Sequence, residues 1–308
     1  ETASPYDVLP PAVRLTLDNS FTGDFDELVK RRAIRVAVTF DRTHYFIDRG
    51  QERGLTYEWL KIFEDDLNKD LKTGKLKVHV VMVPMSRDQL YPALASGKVD
   101  MVAAMLTVTP EREKLVAFSE PTRTNVSEVV VTGPGAPPIA TVDDLAGQAV
   151  FVRKTSVYFE TLARLNEQLT ARGKPIMVIN EAPDVLEDDD VLEMVGVGLA
   201  PITVVDDYLA EFWSKVFTNL KVHRDIAVRS GGRLAVAFRK ESPRPERSSI
   251  RGSGSTDKAT PFETSSSVAI SRASSTRRTP RPRRSARSWR CWPTCSRSTG
   301  RNTASITC

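Results

Sequence analysis

GKVDMVAAMLTVTPEREKLVAFSEP, residues Gly97 to Pro121, decides the architecture of this chain. Its apolar run Met101–Leu106 has the length and composition of a buried strand. Thr107-Val108-Thr109-Pro110 follows, and Arg112 then falls on the first turn of a helix. Thr109 has the chemistry of an N-cap and Pro110 that of the first helical position. A guanidinium held beside hydroxyls and free backbone N–H groups at a positive helix end suits a small carboxylate. The spacing alone is equally compatible with an ordinary strand-to-helix connection bearing a solvated arginine.

Outward from that stretch, strands and helices alternate. Ala33–Phe40 reads as a first strand, and Leu55, Trp59, Phe63, Leu67 and Leu71 recur every fourth residue, as on an amphipathic helix. Leu76–Val83 is a second strand, and a helix from Ser86 stops at Gly97 before the strand Val99–Leu106. This order implies a mostly parallel sheet covered by helices. Past Pro121, the strand Val126–Thr132 leaves that unit, followed by the loop Gly133–Pro138 and a helical turn at Thr141–Gly147. A second series follows: strand Ala149–Val152, helix Val157–Arg172, strand Pro175–Ile179, helix Val185–Val197, strand Ile202–Val205 and helix Asp207–Phe217. The acidic run Glu187–Asp190 reads as a solvated helix start, where the helix dipole favours negative charge. A return through Asp225–Arg229, a turn at Gly231-Gly232 and a strand Leu234–Phe238 re-enters the first unit. Two crossings between two α/β lobes make a hinge. The expected layout is an N-terminal arm at 1–31, a first lobe from 32–125 and 224–242, a second lobe at 126–223 and a tail at 243–308.

With 308 residues the chain is long enough for two lobes with their own cores. The net charge of +5 averages two unlike pieces. Residues 1–242 hold 30 Lys and Arg against 36 Asp and Glu, whereas residues 243–308 hold 14 against 3. The tail carries 13 Arg and 15 Ser with no Leu, Met or Tyr, so it cannot bury enough apolar area to offset its ordering entropy, and disorder is expected. As a native segment it would be a basic arm for nucleic acid or anionic lipid. The sharper expectation is an out-of-frame translation, since the Ser/Arg richness beyond Glu263 looks like GC-rich codons read in the wrong frame. Cys291, Cys295 and Cys308 all lie in this tail. A cysteine-free body fits an oxidising compartment. No apolar run approaches the roughly 18 residues of a membrane span. No signal peptide is visible, and the chain opens at Glu1 without Met, as expected of a leader either removed or left out.

The quoted stretch resembles the signature of bacterial extracellular solute-binding proteins of family 3, carried by Gly97, Lys98, Asp100, Thr107, Thr109, Arg112, Phe118, Ser119 and Pro121. The resemblance runs from about Arg32 to Pro243 and is strongest to the solute-binding-like half of the membrane-bound lytic transglycosylases F. It implies a two-lobe, periplasmic-binding-protein-like α/β fold of type II, a periplasmic or cell-envelope location, and an amino-acid-like or muropeptide-like ligand. An inner-membrane permease is the implied partner of a transport receptor; nucleic acid is not. By the same resemblance, Thr107 and Arg112 hold the ligand carboxylate, Asp206 takes its ammonium, and Thr155 and Ser156 add a hydroxyl and backbone amides. Tyr45, in the loop Asp41–Phe46, packs an aromatic ring on the ligand side chain. Asp206 could equally be the N-cap of the following helix.

Three positions depart from the family pattern: Lys154 stands for a glycine, Pro201 for an aspartate and Met105 for a small polar residue. They speak against ordinary polar amino acids as ligands. His44 reads as a loop residue, His79 and His223 lie in separate strands, and no zinc pattern or cofactor is implied. Trp59 and Trp213 read as core, and Glu111 as solvated. No nucleophile–base pair or phosphate loop stands out, and the Glu-Ser pair followed by a Gly-rich Met-Gln segment that marks the catalytic domain of the lytic transglycosylases does not occur. The expectation is therefore a binder rather than an enzyme, with the lytic-enzyme regulatory half and a small-acid dehydratase on the same fold as alternatives.

Overall fold

The structure, a computed structural model, describes residues 19–240. The expectations for the first 18 residues and for the basic tail with its cysteines lie outside the described residues. The first lobe opens with α1 (Phe25–Arg31), β1 (Ala33–Val38), a hairpin of β2 (Phe46–Asp48) and β3 (Gln51–Arg53), α2 (Leu55–Asp70) and β4 (His79–Pro84). It continues through α3 (Arg87–Ala95), β5 (Met101–Thr107), the single turn α4 (Pro110–Glu113) and β6 (Ala117–Phe118). The long β7 (Arg123–Thr132) leads to a 3₁₀ turn (Val142–Leu145), β8 (Ala149–Arg153), α5 (Val157–Ala171) and β9 (Val178–Ala182). Then come α6 (Asp188–Gly196), β10 (Ile202–Asp206), α7 (Asp207–Ser214) and the return strand β11 (Lys221–Phe238).

The strands pair in the order β4-β1-β5-β11-β7-β10-β8-β9. β1 is parallel to β4 and β5, and β8 is parallel to β9 and β10. Between these halves run β7 and β11, antiparallel to each other. The register of β11 against β7 shifts repeatedly between His223 and Leu234, and Gly231 adopts a φ of +74°. The Gly231-Gly232 pair is therefore not the expected turn. It is an irregularity in an 18-residue strand that continues from one lobe into the other.

Each lobe buries its own core. In the second, Val130, Val150, Leu162, Leu169, Leu192, Ile202 and Trp213 pack together. The first lobe covers both faces of its sheet, with Ile34, Val36, Leu60, Phe63 and Leu67 on one side and Ala37, Leu90, Leu94, Val102 and Leu106 on the other. Double coverage explains why β5 reads MVAAMLT with almost no polar residue.

Half of the signature stretch is structural. Asp100 accepts from the backbone N–H of Arg35 (2.8 Å) and from its guanidinium (Nε, 3.1 Å; Nη2, 2.9 Å), wholly inside the first lobe. The Gly97 carbonyl accepts from Arg35 Nη2 and from the Phe21 N–H, both at 2.8 Å. Gly97 needs its φ of +72° to end α3, and a Cβ there would meet the Phe21 carbonyl oxygen at 2.6 Å. Ser119 ties the return strand, donating its N–H to the Val236 carbonyl (2.9 Å) and accepting the Val236 N–H on Oγ (3.2 Å).

Boundaries differ from expectation at several places. β4 begins at His79 rather than Leu76, and β9 covers 178–182 rather than 175–179. The helix after Thr109 is one turn of four residues, so it supplies capped N–H groups but almost no macrodipole.

Candidate functional site

Where the strand ends of the two lobes face one another lies a cavity of about 260 Å³. From the first lobe it is lined by His44, Arg87, Leu90, Tyr91, Met105, Thr107, Glu111 and Arg112. From the second come Arg153, Thr155, Ser156, Tyr158, Glu160, Asp188, Asp206 and Tyr208. Five of the six residues singled out in the sequence thus share one crevice. The sixth does not: Tyr45 is buried in the first-lobe core, with its ring edge-on to Phe40 and its hydroxyl on Glu52 Oε1 at 2.6 Å. Its neighbour His44 lines the cavity instead, at the end of the turn 42–44 that the Asp41–Tyr45 bridge closes.

Arg112 is placed as the sequence suggests. Thr109 accepts the Arg112 N–H at 3.2 Å and caps the turn, and the guanidinium is buried. It is already engaged across the cleft. Nε and Nη2 both donate to Glu160 Oε1, at 3.2 and 3.0 Å, and Nη2 also reaches the Thr155 carbonyl at 3.3 Å. A carboxylate of the second lobe therefore sits on the cation expected to hold an anionic ligand.

The hydroxyls of the second lobe are also committed. Ser156 accepts the Phe159 N–H to cap α5 and donates to the Arg153 carbonyl, while Thr155 donates to Asp184 at 2.6 Å. Asp206 stands at the end of β10 before α7, but its side chain makes no cap hydrogen bond. It is buried, and no cation pairs with it among the described ion pairs. Burial, reinforced by Asp188, Glu128 and Asp207, pushes its carboxyl well above the usual range.

His44 contributes a feature the sequence reading passed over. Its Nδ1 lies 3.1 and 3.2 Å from the two oxygens of Asp41, which also accepts the N–H groups of Thr43 (2.8 Å) and His44 (2.6 Å). Burial alone would raise Asp41, but the imidazolium and the N–H donors outweigh it and hold the carboxyl below its ordinary value. Burial likewise opposes the charged imidazole, yet the charge and hydrogen bond of Asp41 raise His44. The Asp-x-x-His spacing was visible in the sequence; its burial was not.

The cavity wall is polar and incompletely satisfied. Five residues of this wall carry a deeply buried side-chain polar atom without a hydrogen-bond partner: His44 Nε2, Tyr91 Oη, Arg153 Nε, Glu160 Oε2 and Tyr208 Oη. Such groups are costly to bury unpaired, at about 1–3 kcal/mol each. Tyr91 and Tyr208 keep their protons, because burial raises both phenols.

Around this cavity the lobes are clasped. Arg42 donates to Asp189 (2.7 Å) and Glu193 (2.7 Å) and lies over the Trp213 ring at 5.0 Å. Arg87 pairs with Glu187 at 2.9 Å, Arg164 with Glu111 at 2.9 Å, and Trp213 Nε1 donates to Thr43 at 3.1 Å. The acidic run is therefore not a solvated helix start. Glu187 and Asp189 are buried, and the run forms the second lobe's half of the clasp. Glu111 is exposed, as expected, and pairs with Arg164 at the surface.

The departures from pattern fall in different places. Lys154 pairs with Glu181 outside the cavity lining, and the Pro201 carbonyl accepts the Gly133 N–H at 3.0 Å on entry to β10. Met105 lines the cavity with a φ of +51°, where β5 shifts register against β11. A side chain in that left-handed region is strained. Trp213 stacks on Phe217 and is core, while Trp59 stacks on Phe63 and is partly buried. Among the described residues no His, Cys, Asp and Glu cluster has the arrangement of a metal site.

Two lobes, two crossing strands and a polar crevice between the strand ends define a solute-binding protein of the two-lobe type. Residues 34–247 match the sequence model of bacterial extracellular solute-binding proteins, family 3, and the chain belongs to that family. A membrane-bound lytic murein transglycosylase F from Pseudomonas putida is 30% identical over 205 residues, covering 66% of this chain and 39% of that protein. Its counterpart in Pseudomonas fluorescens is 31% identical over 205 residues with the same coverage. This chain thus spans about two fifths of the length of those relatives. Among solved structures, an amino acid ABC transporter substrate-binding protein from Streptococcus pneumoniae bound to L-arginine has a TM-score of 0.58 at 17% identity, covering 82% of this chain and 92% of that one. The holo arginine-binding protein of T. maritima has a TM-score of 0.55 at 24% identity, covering 70% and 87%. At these identities the likeness shows the fold. No helix among the described residues is long and apolar enough to cross a membrane.

Proposed function

We propose that this protein is a periplasmic solute-binding domain that closes on a small zwitterionic, amino-acid-like ligand. The ligand carboxylate takes Arg112 and Thr107, and its ammonium takes Asp206. One observation carries the reading: a buried guanidinium from one lobe and a buried carboxylate without a cationic partner from the other line the same cavity. Drug-sized ligands occupy roughly 300–1,000 Å³, so a cavity of about 260 Å³ fits an amino acid or a short peptide fragment. Closure is then a population shift whose extent follows the ligand's differential affinity for the closed form.

Titration calorimetry with a panel of amino acids and small muropeptides tests this directly. Wild type should bind at least one zwitterion, and Arg112→Ala should bind none; equal binding by both removes the site. Ligand recovered unchanged after incubation separates a binder from a dehydratase of the same fold. The lytic transglycosylase relatives favour a second reading of the role, in which the domain senses cell-wall fragments for a peptidoglycan-cleaving domain. Permease genes beside the coding sequence would favour transport. A catalytic domain restored by reading another frame beyond Phe262 would favour sensing.

A further inference from the structure

We propose that Glu128, on the crossing strand β7 just outside the cavity lining, is a positioning residue for ammonium recognition: placed between Asp206 and Arg229, it sets when Asp206 presents a negative charge to the ligand. The inference rests on the Arg112 and Asp206 reading and adds the groups behind the second of those contacts. Glu128 stands opposite Asp206 in the antiparallel pairing of β10 with β7, and opposite Arg229 in that of β7 with β11. Residues paired across neighbouring strands project from the same face, with Cβ atoms about 4.5–5.5 Å apart. The three side chains therefore form one row, from the cavity wall to the strands that cross between the lobes. Asp206 lines the cavity, and the other two do not. Glu128 is buried, and its Oε1 accepts from Arg229 Nη1 at 3.2 Å. Among the described ion pairs this is the one that joins β7 to β11, and β11 shifts register against β7 on both sides of Arg229.

Two carboxylates facing one another across neighbouring strands oppose each other's ionisation, and a cation beside one of them decides which keeps the proton. Arg229 pairs with Glu128 and not with Asp206. Burial raises the Glu128 carboxyl, helped by Glu160 on α5, but Thr161 and Arg229 pull against it. Burial raises Asp206 well above the ordinary range; Asp188 on α6, Glu128 and Asp207 on α7 push the same way, and the Tyr158 hydroxyl opposes them. Tyr208, which follows Asp207 and lies under the Arg123 guanidinium at 4.3 Å, keeps its proton because burial raises it too. The proton of the pair thus sits on Asp206 and the negative charge on Glu128. A ligand ammonium arriving at Asp206 displaces that proton, while Glu128 attracts the incoming cation from behind.

The test is titration calorimetry of the whole protein over a pH series from mildly acid to mildly alkaline, with L-arginine, L-glutamine and L-methionine as zwitterionic probes. The affinity of a probe that binds should fall below a midpoint pH set by Asp206. Glu128→Gln removes the opposing charge and should lower that midpoint by at least about one pH unit, a tenfold change in proton affinity. Arg229→Gln removes the cation that keeps Glu128 ionised, so the pair holds its last proton to higher pH and the midpoint should rise. A purely structural role would weaken binding at every pH or move both midpoints the same way. If Glu128→Gln does not fold, Arg229→Gln carries the test, since that side chain is one-quarter exposed (25%), and a midpoint that fails to rise overturns the proposal. Midpoints unchanged or shifted in one direction, with Arg112→Ala still inactive, would overturn the role of Glu128 and leave the Arg112 and Asp206 site standing. No binding of any probe, or binding unaffected by Arg112→Ala, would overturn both.

Discussion

Glu160 should compete with the ligand. It places one oxygen within 3.0 and 3.2 Å of two nitrogens of Arg112, and its side chain is about one-third exposed (32%) while that of Arg112 is 9% exposed. Exposed pairs contribute about 0.2–1 kcal/mol, and removing one partner of a fully buried pair costs about 3–5 kcal/mol. A pair intermediate between these limits contributes about 1–2 kcal/mol. If a ligand carboxylate takes over Arg112, the Glu160 contact exists only in the ligand-free closed state. Deleting it then weakens a competitor of the complex. Glu160→Gln should therefore tighten binding of a carboxylate ligand by roughly fivefold to thirtyfold, the factor equivalent to that energy. Ligand-free Glu160→Gln should also be more open, seen as a larger radius of gyration in solution scattering. Calorimetry on wild type and variant with the same ligand decides it. Affinity unchanged or reduced would mean that Glu160 keeps Arg112 in the complex, and that the ligand anion sits elsewhere.

Other expectations follow from the same geometry. Arg112→Ala should lower affinity by at least a hundredfold, read by calorimetry, since it removes the cation rather than its competitor. Because burial raises Asp206, binding an ammonium should ionise it and release a proton, so observed binding enthalpy should vary with buffer ionisation enthalpy, and affinity should fall as pH drops. A carboxyl raised in the folded state favours folding most below its unfolded value, near 3.9, and loses that contribution as pH climbs through the folded value. Asp206→Asn should accordingly abolish the proton release, weaken ammonium-bearing ligands selectively and raise the melting temperature at neutral pH. Met105→Gly should relieve a left-handed backbone cost of about 1–2 kcal/mol, leaving thermal stability near wild type despite the lost side chain. Arg35→Met should destabilise the first lobe by about 3 kcal/mol, read by denaturant unfolding, because it leaves buried Asp100 with only the more distant Arg239 at 3.9 Å.

The strand–turn–helix around Arg112 could be read from the chain because its determinants are local: an apolar run, a capping threonine and a proline in sequence. The alternation of strands and helices was readable for the same reason. The clasp was not, since Glu187 and Asp189 find Arg87 and Arg42 only through the fold, at separations of 100 and 147 residues. Local patterning sees an acidic helix start and assigns it to solvent. The β2–β3 hairpin had a signal in Arg49-Gly50, which both take positive φ (+51° and +78°), but arginine seldom marks such a turn. The choice between Tyr45 and His44 depended on which side of a five-residue loop faced the cleft. The bridge that closes that loop, between Asp41 and Tyr45, settles the orientation in the fold.

Strands β7 and β11 run side by side from Lys221 opposite Thr132 to Leu234 opposite Arg123. Everything between Arg123 and Leu234 enters and leaves through one doorway, two neighbouring backbones wide. The second core is drawn from one stretch of chain, Val129 to Ile226, and the other cores from residues on both sides of it. A graft that exchanges that stretch alone would keep the Arg112 half of the crevice and replace the Asp206 half, which is how a chain of this design can acquire a new ligand without rebuilding its scaffold.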